Sequence, residues 1–80
     1  MNVGTAVRYR IVGLCSEKGI TINKLGTICG VPRSTINNNV SGRNDSTTIS
    51  TIKKICDGLN IRLIDFFDHE LFCNLDQEIQ

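Results

Sequence analysis

Short runs of apolar residues at helical spacing, each closed by a glycine or an asparagine, leave this chain little choice of fold. Val7, Ile11, Leu14 and Cys15 recur at intervals of three and four, with Val3 one turn earlier, and predict a helix from about Val3 to Lys18. Gly19 stops it, as glycine does after a helix. Thr21 is a good N-cap for a second helix to about Cys29, with Ile22, Leu25, Ile28 and Cys29 on its apolar side. Gly30 supplies a tight turn. A third helical stretch carries Ile36 and Val40 and ends near Ser41-Gly42. The run RNDSTT is a loop by composition. A fourth helix takes its cap between Ser46 and Thr48, carries Ile49, Ile52, Ile55, Cys56 and Leu59, and ends at Asn60. A fifth, short helix is expected from Leu63 to Phe67. In the tail HELFCNLDQEIQ, the spacing of Leu71, Phe72, Leu75 and Ile79 predicts one or two further amphipathic turns. No segment alternates with period two for long. The expected fold is therefore all-α: a compact bundle of five short helices with an extra helical stretch at the C-terminus.

Eighty residues make one small domain with a modest core. Trp is absent and aromatic residues are few, so that core must be aliphatic. No apolar window is long enough for a membrane span. The start, MNVGTAVRYRIVG, puts Arg8 and Arg10 inside an amphipathic pattern and lacks the features of a secretory signal. A cytoplasmic location is the expectation. The spacings of Cys15, Cys29, Cys56 and Cys73 match no zinc pattern, and the first three fall on apolar helix phases as small hydrophobes. The single histidine, His69, lies in an acidic tail with no triad or ligand set around it. There is no phosphate loop and no paired-carboxylate site. The expectation is a non-enzyme without cofactor or metal.

The formal net charge of +1 conceals an uneven distribution. All nine Lys and Arg lie between Arg8 and Arg62, with only Glu17, Asp45 and Asp57 among them, a net +6. From Leu63 onward there are five acids and no Lys or Arg. A basic body suits an anionic partner.

The stretch GVPRSTINNNVSGRN, residues 30–44, is unusual for a helix. Pro32 suits a first turn. However, Ser34, Thr35, Asn37, Asn38 and Asn39 form helix poorly, because their side chains compete for backbone hydrogen bonds. Stability alone does not explain their use.

The arrangement around that stretch resembles the phage-repressor-type helix-turn-helix family, the Cro/C1-like or Xre-like DNA-binding domains. The resemblance rests on Thr21-Ile22-Asn23-Lys24-Leu25-Gly26, Cys29-Gly30-Val31-Pro32 and Thr35-Ile36. It continues through Ser41-Gly42, Ile52, Ile55, Leu59 and the region of Phe67. It covers about Val3 to Phe67 and implies a lambda-repressor-like bundle with a central helix-turn-helix. A DNA-binding domain over 1–68 is then followed by an acidic, partly apolar tail over 69–80. Gly26 stands where the family usually has Ala, at a position that must be small for the second helix to pack on the third. Val31, Ile36 and Val40 are expected to point inward. Two departures are Pro32, in place of a hydroxyl cap, and Asn39, where the family commonly has an apolar residue.

On a helical wheel with Arg33 at zero, Asn37, Ser41, Ser34 and Asn38 fall at roughly 40°, 80°, 100° and 140°. Ile36 and Val40 fall together at roughly 300° and 340°. The polar face is Arg, Ser and Asn without an acid. Arg bonds guanine twice, Asn bonds adenine twice, and Ser is adaptable. Such a face suits the major groove, with the packing of Ile36 and Val40 compensating for poor propensity. The base-reading candidates are Arg33, Ser34, Asn37 and Asn38. Backbone candidates are Thr21, Asn23 and Lys24 at the start of the second helix, Thr35, and Ser41, Arg43 and Asn44 after the third. Thr47 or Thr48 would add a contact at the fourth helix. Arg8, Arg10, Lys53, Lys54 and Arg62 are read as solvent charges.

The family commonly dimerises through its C-terminal helices. Phe66, Leu71, Phe72, Leu75 and Ile79 are the matching candidates here, while Phe67 is expected to finish the core. The resemblance implies a small transcriptional regulator, a repressor acting as a homodimer on a two-fold symmetric operator of double-stranded DNA. The alternative is an antitoxin or adaptor whose main task is to bind a protein partner through the tail.

Overall fold

A computed structural model describes residues 1–31, 48–77 and 79. The described part is all-helical: α1 (Val3–Lys18), α2 (Ile22–Cys29), α3 (Ile49–Leu59), α4 (Leu63–Phe67) and a single 3-10 turn (Glu70–Phe72). The third helix expected from the sequence, with Pro32, Ile36, Asn39 and Val40, lies outside the described residues.

Local chemistry explains the boundaries of α1, α2 and α3. Asn2 caps α1 by accepting the Thr5 N–H at 2.8 Å. Thr21 and Thr48 cap α2 and α3 by accepting the Lys24 and Thr51 N–H groups, each at 3.1 Å. A side-chain oxygen at this position satisfies one of the backbone donors that a helix start leaves orphaned. At the other ends the chain turns left-handed. Gly19 has φ 67° and Gly30 φ 68°, values a glycine adopts without cost. Asn60 does the same at φ 61°, and the following Ile61 N–H bonds back to Cys56 O at 3.0 Å. That hydrogen bond satisfies a carbonyl the helix would leave open.

One core joins the helices. Ile11 and Leu14 of α1, Leu25 of α2, and Ile52, Ile55 and Leu59 of α3 are buried together with Val31 and Phe66. Cys15 and Cys56 are buried among them, Cys29 is half-buried and Cys73 is exposed; all four are free thiols. Burial pushes the Cys15, Cys29 and Cys56 thiols up, away from the reactive thiolate. The apolar stripes run one turn shorter than their periodicity suggests. Val3 is exposed, and Ala6 is the buried residue of that turn. Ile28 is largely exposed at the end of α2, and Ile49 is 62% exposed in the first turn of α3.

The C-terminus departs most from expectation. Phe66, rather than Phe67, is the fully buried aromatic residue. Phe66, Phe67 and Phe72 form a small aromatic cluster with centroids 5.0–6.2 Å apart, and Phe67 packs edge-on to both neighbours or nearly so. The tail makes the one 3-10 turn and then continues without helix through residue 77. It returns to the start of the chain, where the Asp76 N–H donates to Met1 O at 3.0 Å and the Asp76 carboxylate lies 3.6 Å from the terminal amine.

Arg10 is not a solvent charge. Its Nε donates to Phe66 O at 2.8 Å and its Nη2 to Asp65 O at 3.0 Å. The guanidinium thereby takes up carbonyls near the C-terminal end of α4, and fastens that short helix to α1.

Candidate nucleic-acid interface

The start of α2 is built by Thr21. Its Oγ1 accepts the Lys24 N–H, and its carbonyl accepts the Leu25 N–H at 3.0 Å. Thr21, Asn23 and Lys24 are all exposed there, within the first turn of the helix. The Asn23 carbonyl also accepts the Thr27 hydroxyl at 3.2 Å, which ties the exposed side of the helix together.

Acids in a first turn stabilise a helix by opposing the positive end of its dipole. The first turns of α1, α2 and α3 all lack an acid, and what sets α2 apart is Lys24. The α2 N-terminus therefore presents a lysine charge, backbone dipoles and a hydroxyl together, all suited to an anion such as a phosphate. At α3 the Thr48 hydroxyl caps the helix and also donates to the Thr51 hydroxyl at 2.9 Å.

These two starts flank the segment expected to read bases. On one side the chain leaves α2 through Gly30 and the buried Val31, whose N–H donates to Gly26 O at 3.1 Å. Val31 points inward as expected, and Gly26 is buried. On the other side it returns at the Thr48 cap. The base-reading candidates Arg33, Ser34, Asn37 and Asn38 lie outside the described residues. So do the backbone candidates Thr35, Ser41, Arg43, Asn44 and Thr47. Among the described residues, the structure brings Thr21, Asn23 and Lys24 together and places Thr48 at the start of a separate helix.

The tail candidates divide. Phe66 is enclosed within the core of its own chain, and Phe72 packs half-buried against the same core. Leu71 and Leu75 are half-buried, and Ile79 is 84% exposed. Ile64, which the periodicity did not single out, is 66% exposed on α4.

Two structural residues were not read from the sequence. One is Arg10, whose apolar surroundings on α1 were the available sign that its charge meets a partner. The other is Gly58, a glycine inside an otherwise regular helix, whose cost in helix propensity is the available sign of a packing role. Among the described residues there is no group of three His, Cys, Asp or Glu that could hold a metal ion, and no helix long and apolar enough to cross a membrane.

The sequence model of the Cro/C1-type HTH DNA-binding domain matches residues 10–71, a span that includes every base-reading and backbone candidate. A solved structure, described as the crystal structure of the prophage Lp1 protein 11, is 34% identical to this chain. The alignment covers 94% of this chain and 100% of that one, with a TM-score of 0.82. The curated proteins contain no match. With an all-helical bundle, capped and acid-free starts at α2 and α3, and a family match over most of its length, the chain belongs to the Cro/C1-type helix-turn-helix DNA-binding family.

Proposed function

We propose that this chain is a small transcriptional regulator, a repressor, which reads double-stranded DNA in the major groove. Arg33, Ser34, Asn37 and Asn38 supply base contacts. Thr21, Asn23 and Lys24 at α2, with Thr35, Ser41, Arg43 and Asn44, hold the phosphate backbone. The observation that carries this reading is the acid-free start of α2, where Lys24 adds its charge to the helix dipole. The other end of α2 leads through Gly30 and Val31 toward the stretch whose sequence, wound as a helix, gathers Arg, Ser and Asn on one side. A single domain of this size covers little DNA, so the reading includes a homodimer on two half-sites about 34 Å apart.

Selection from a random duplex pool at about 100 mM salt tests it, followed by salt titration on the winner. The expected result is an enriched inverted repeat whose affinity falls steeply with salt. Shallow binding without enrichment would overturn it. That outcome would favour the second reading, an antitoxin or adaptor that binds a protein through its tail, which the exposed Ile64 and Ile79 among acidic neighbours support.

A further inference from the structure

The end of α2 packs tightly onto α3 at Gly58. A Cβ built there would fall on Cys29 Sγ, well inside van der Waals contact, and would lie 3.1 Å from Ile28 Cγ2 and 3.2 Å from the Cys29 Cα. At Gly13, Gly19 and Gly30 the same added atom would meet nothing. The thiol itself faces α3, 3.8 Å from Ile55 O, to which it donates. Ile55 and Gly58 are three residues apart and share one helix face. The last turn of α2 thus sits on α3 at a distance fixed by one sulfur and one missing side chain.

That distance bears on the DNA side. Cys29 is the last residue of α2. Only Gly30, held at φ 68°, and Val31, buried and bonded to Gly26 O, separate it from the segment with Arg33 and Ser34. A rigid helix moved at its C-terminal end moves Thr21 and Lys24 at the other end too. Glycine is a poorer helix former than alanine, and Gly58 lies within the last turn of a regular helix. Helix stability therefore does not explain its presence, whereas the contact with Cys29 does.

We infer that Gly58 is a positioning residue for DNA reading: by admitting Cys29 Sγ against α3, it sets where α2 presents its phosphate-binding start and where the base-reading segment departs. The inference rests on the DNA-reading function proposed above. Phosphate contacts fix register on the duplex and base contacts carry the sequence preference. A displaced α2 should therefore lose discrimination before it loses general attraction to DNA.

The experiment compares wild type, Gly58→Ala and Cys29→Ala/Gly58→Ala on the selected duplex and on a scrambled one, with thermal melts of each protein. For folded Gly58→Ala, affinity for the selected duplex is expected to fall about tenfold, the scale of one mismatched contact, with little change on the scrambled duplex. The double variant, which removes the colliding sulfur, should regain most of that loss. A purely structural role would lower the melting temperature and weaken both duplexes equally, and that result would overturn the inference. Unchanged discrimination in Gly58→Ala, or no recovery in the double variant, would overturn it as well. If Gly58→Ala does not fold, Cys29→Val crowds the same contact from the α2 side and is read on the same two duplexes with the same expectation. A wild type that selects no duplex overturns the DNA-reading function itself, whereas a selective wild type with an indifferent Gly58→Ala overturns this inference alone.

Discussion

Arg10 shows how one side chain can hold an element that its own sequence does not hold. α4 is five residues long, too short to stand without tertiary support. Its end is held by two hydrogen bonds from a single guanidinium, to Phe66 O and Asp65 O. Charge-assisted bonds of this kind contribute about 1.5–3 kcal/mol when both partners are shielded. Arg10 is only partly buried, so Arg10→Ala should cost about 1–2 kcal/mol. For a domain of this size that corresponds to a fall in melting temperature of roughly 5–15 °C. Arg10→Lys should recover little, because an ammonium cannot span two carbonyls as the planar fork does. Calorimetry of the three proteins checks this. At the opposite end of α4, Arg62 Nε and Nη2 and the Arg62 backbone N–H all donate to Asp65. The Arg62 side chain, followed by its backbone N–H, holds the Asp65 carboxyl below the usual carboxylate range. A depressed folded-state value means the carboxylate stabilises the fold above its unfolded pKa, about 3.9. That stabilisation is lost as pH falls through the lower folded value. Melts between pH 6 and pH 2 should therefore fall less steeply below pH 4 in Asp65→Asn than in wild type. Identical acid limbs would show that the pair contributes nothing.

At the scale of elements, every described helix was legible, because caps and stops are local chemistry. Thr21, Gly19, Gly30, Thr48 and Asn60 each mark a boundary by what their own backbone or hydroxyl can do. What the sequence hid was partnership across the fold. Val3 and Ile49 continue their stripes in phase but sit in first turns with no neighbour to cover them. Arg10 and Gly58 depend on residues far along the chain, and the choice of Phe66 over Phe67 depends on how α4 sits against α3 and the Arg10 guanidinium. The tail's spacing of apolar residues is satisfied by one 3-10 turn and a return to Met1 rather than by a helix. For the interface, the α2 start with its Thr21 cap is legible in the sequence and is the part the structure describes, whereas Arg33, Ser34, Asn37 and Asn38 lie outside the described residues. Two substitutions separate the proposed roles. Arg33→Ala should cost about 1–3 kcal/mol on the selected site and relax preference at one base pair. Thr21→Ala should weaken binding to all duplexes alike, because it acts through the α2 start and the phosphates. Both are read by titration on the selected site and its single-base variants. If Arg33→Ala leaves affinity and preference unchanged, the base-reading role of that segment is wrong.

The described part of the molecule measures 38 × 24 × 20 Å along its principal axes, about the length of one turn of DNA. Its charge is divided, basic up to Arg62 and acidic beyond. Phosphates attract the first part and repel the second, so the proposed DNA complex keeps α4 and the tail away from the duplex. The exposed apolar side chains of that acidic end, Ile64 at 66% and Ile79 at 84%, then remain in solvent in a monomer. Burying them against a second copy removes apolar surface at about 25 cal/mol per Å². It also brings two acidic tails together, so the association should strengthen with salt while DNA binding weakens. This opposite salt dependence is a specific expectation of the tail-to-tail dimer. Sedimentation equilibrium at low and high salt should show more dimer at high salt, and Ile64→Asp should shift the protein to monomer. On the full inverted repeat Ile64→Asp should bind at least about tenfold more weakly, whereas on an isolated half-site it should match wild type. A wild type that stays monomeric at both salts, yet binds the repeat with a single steep transition, would place the dimer contact elsewhere than on α4 and the tail.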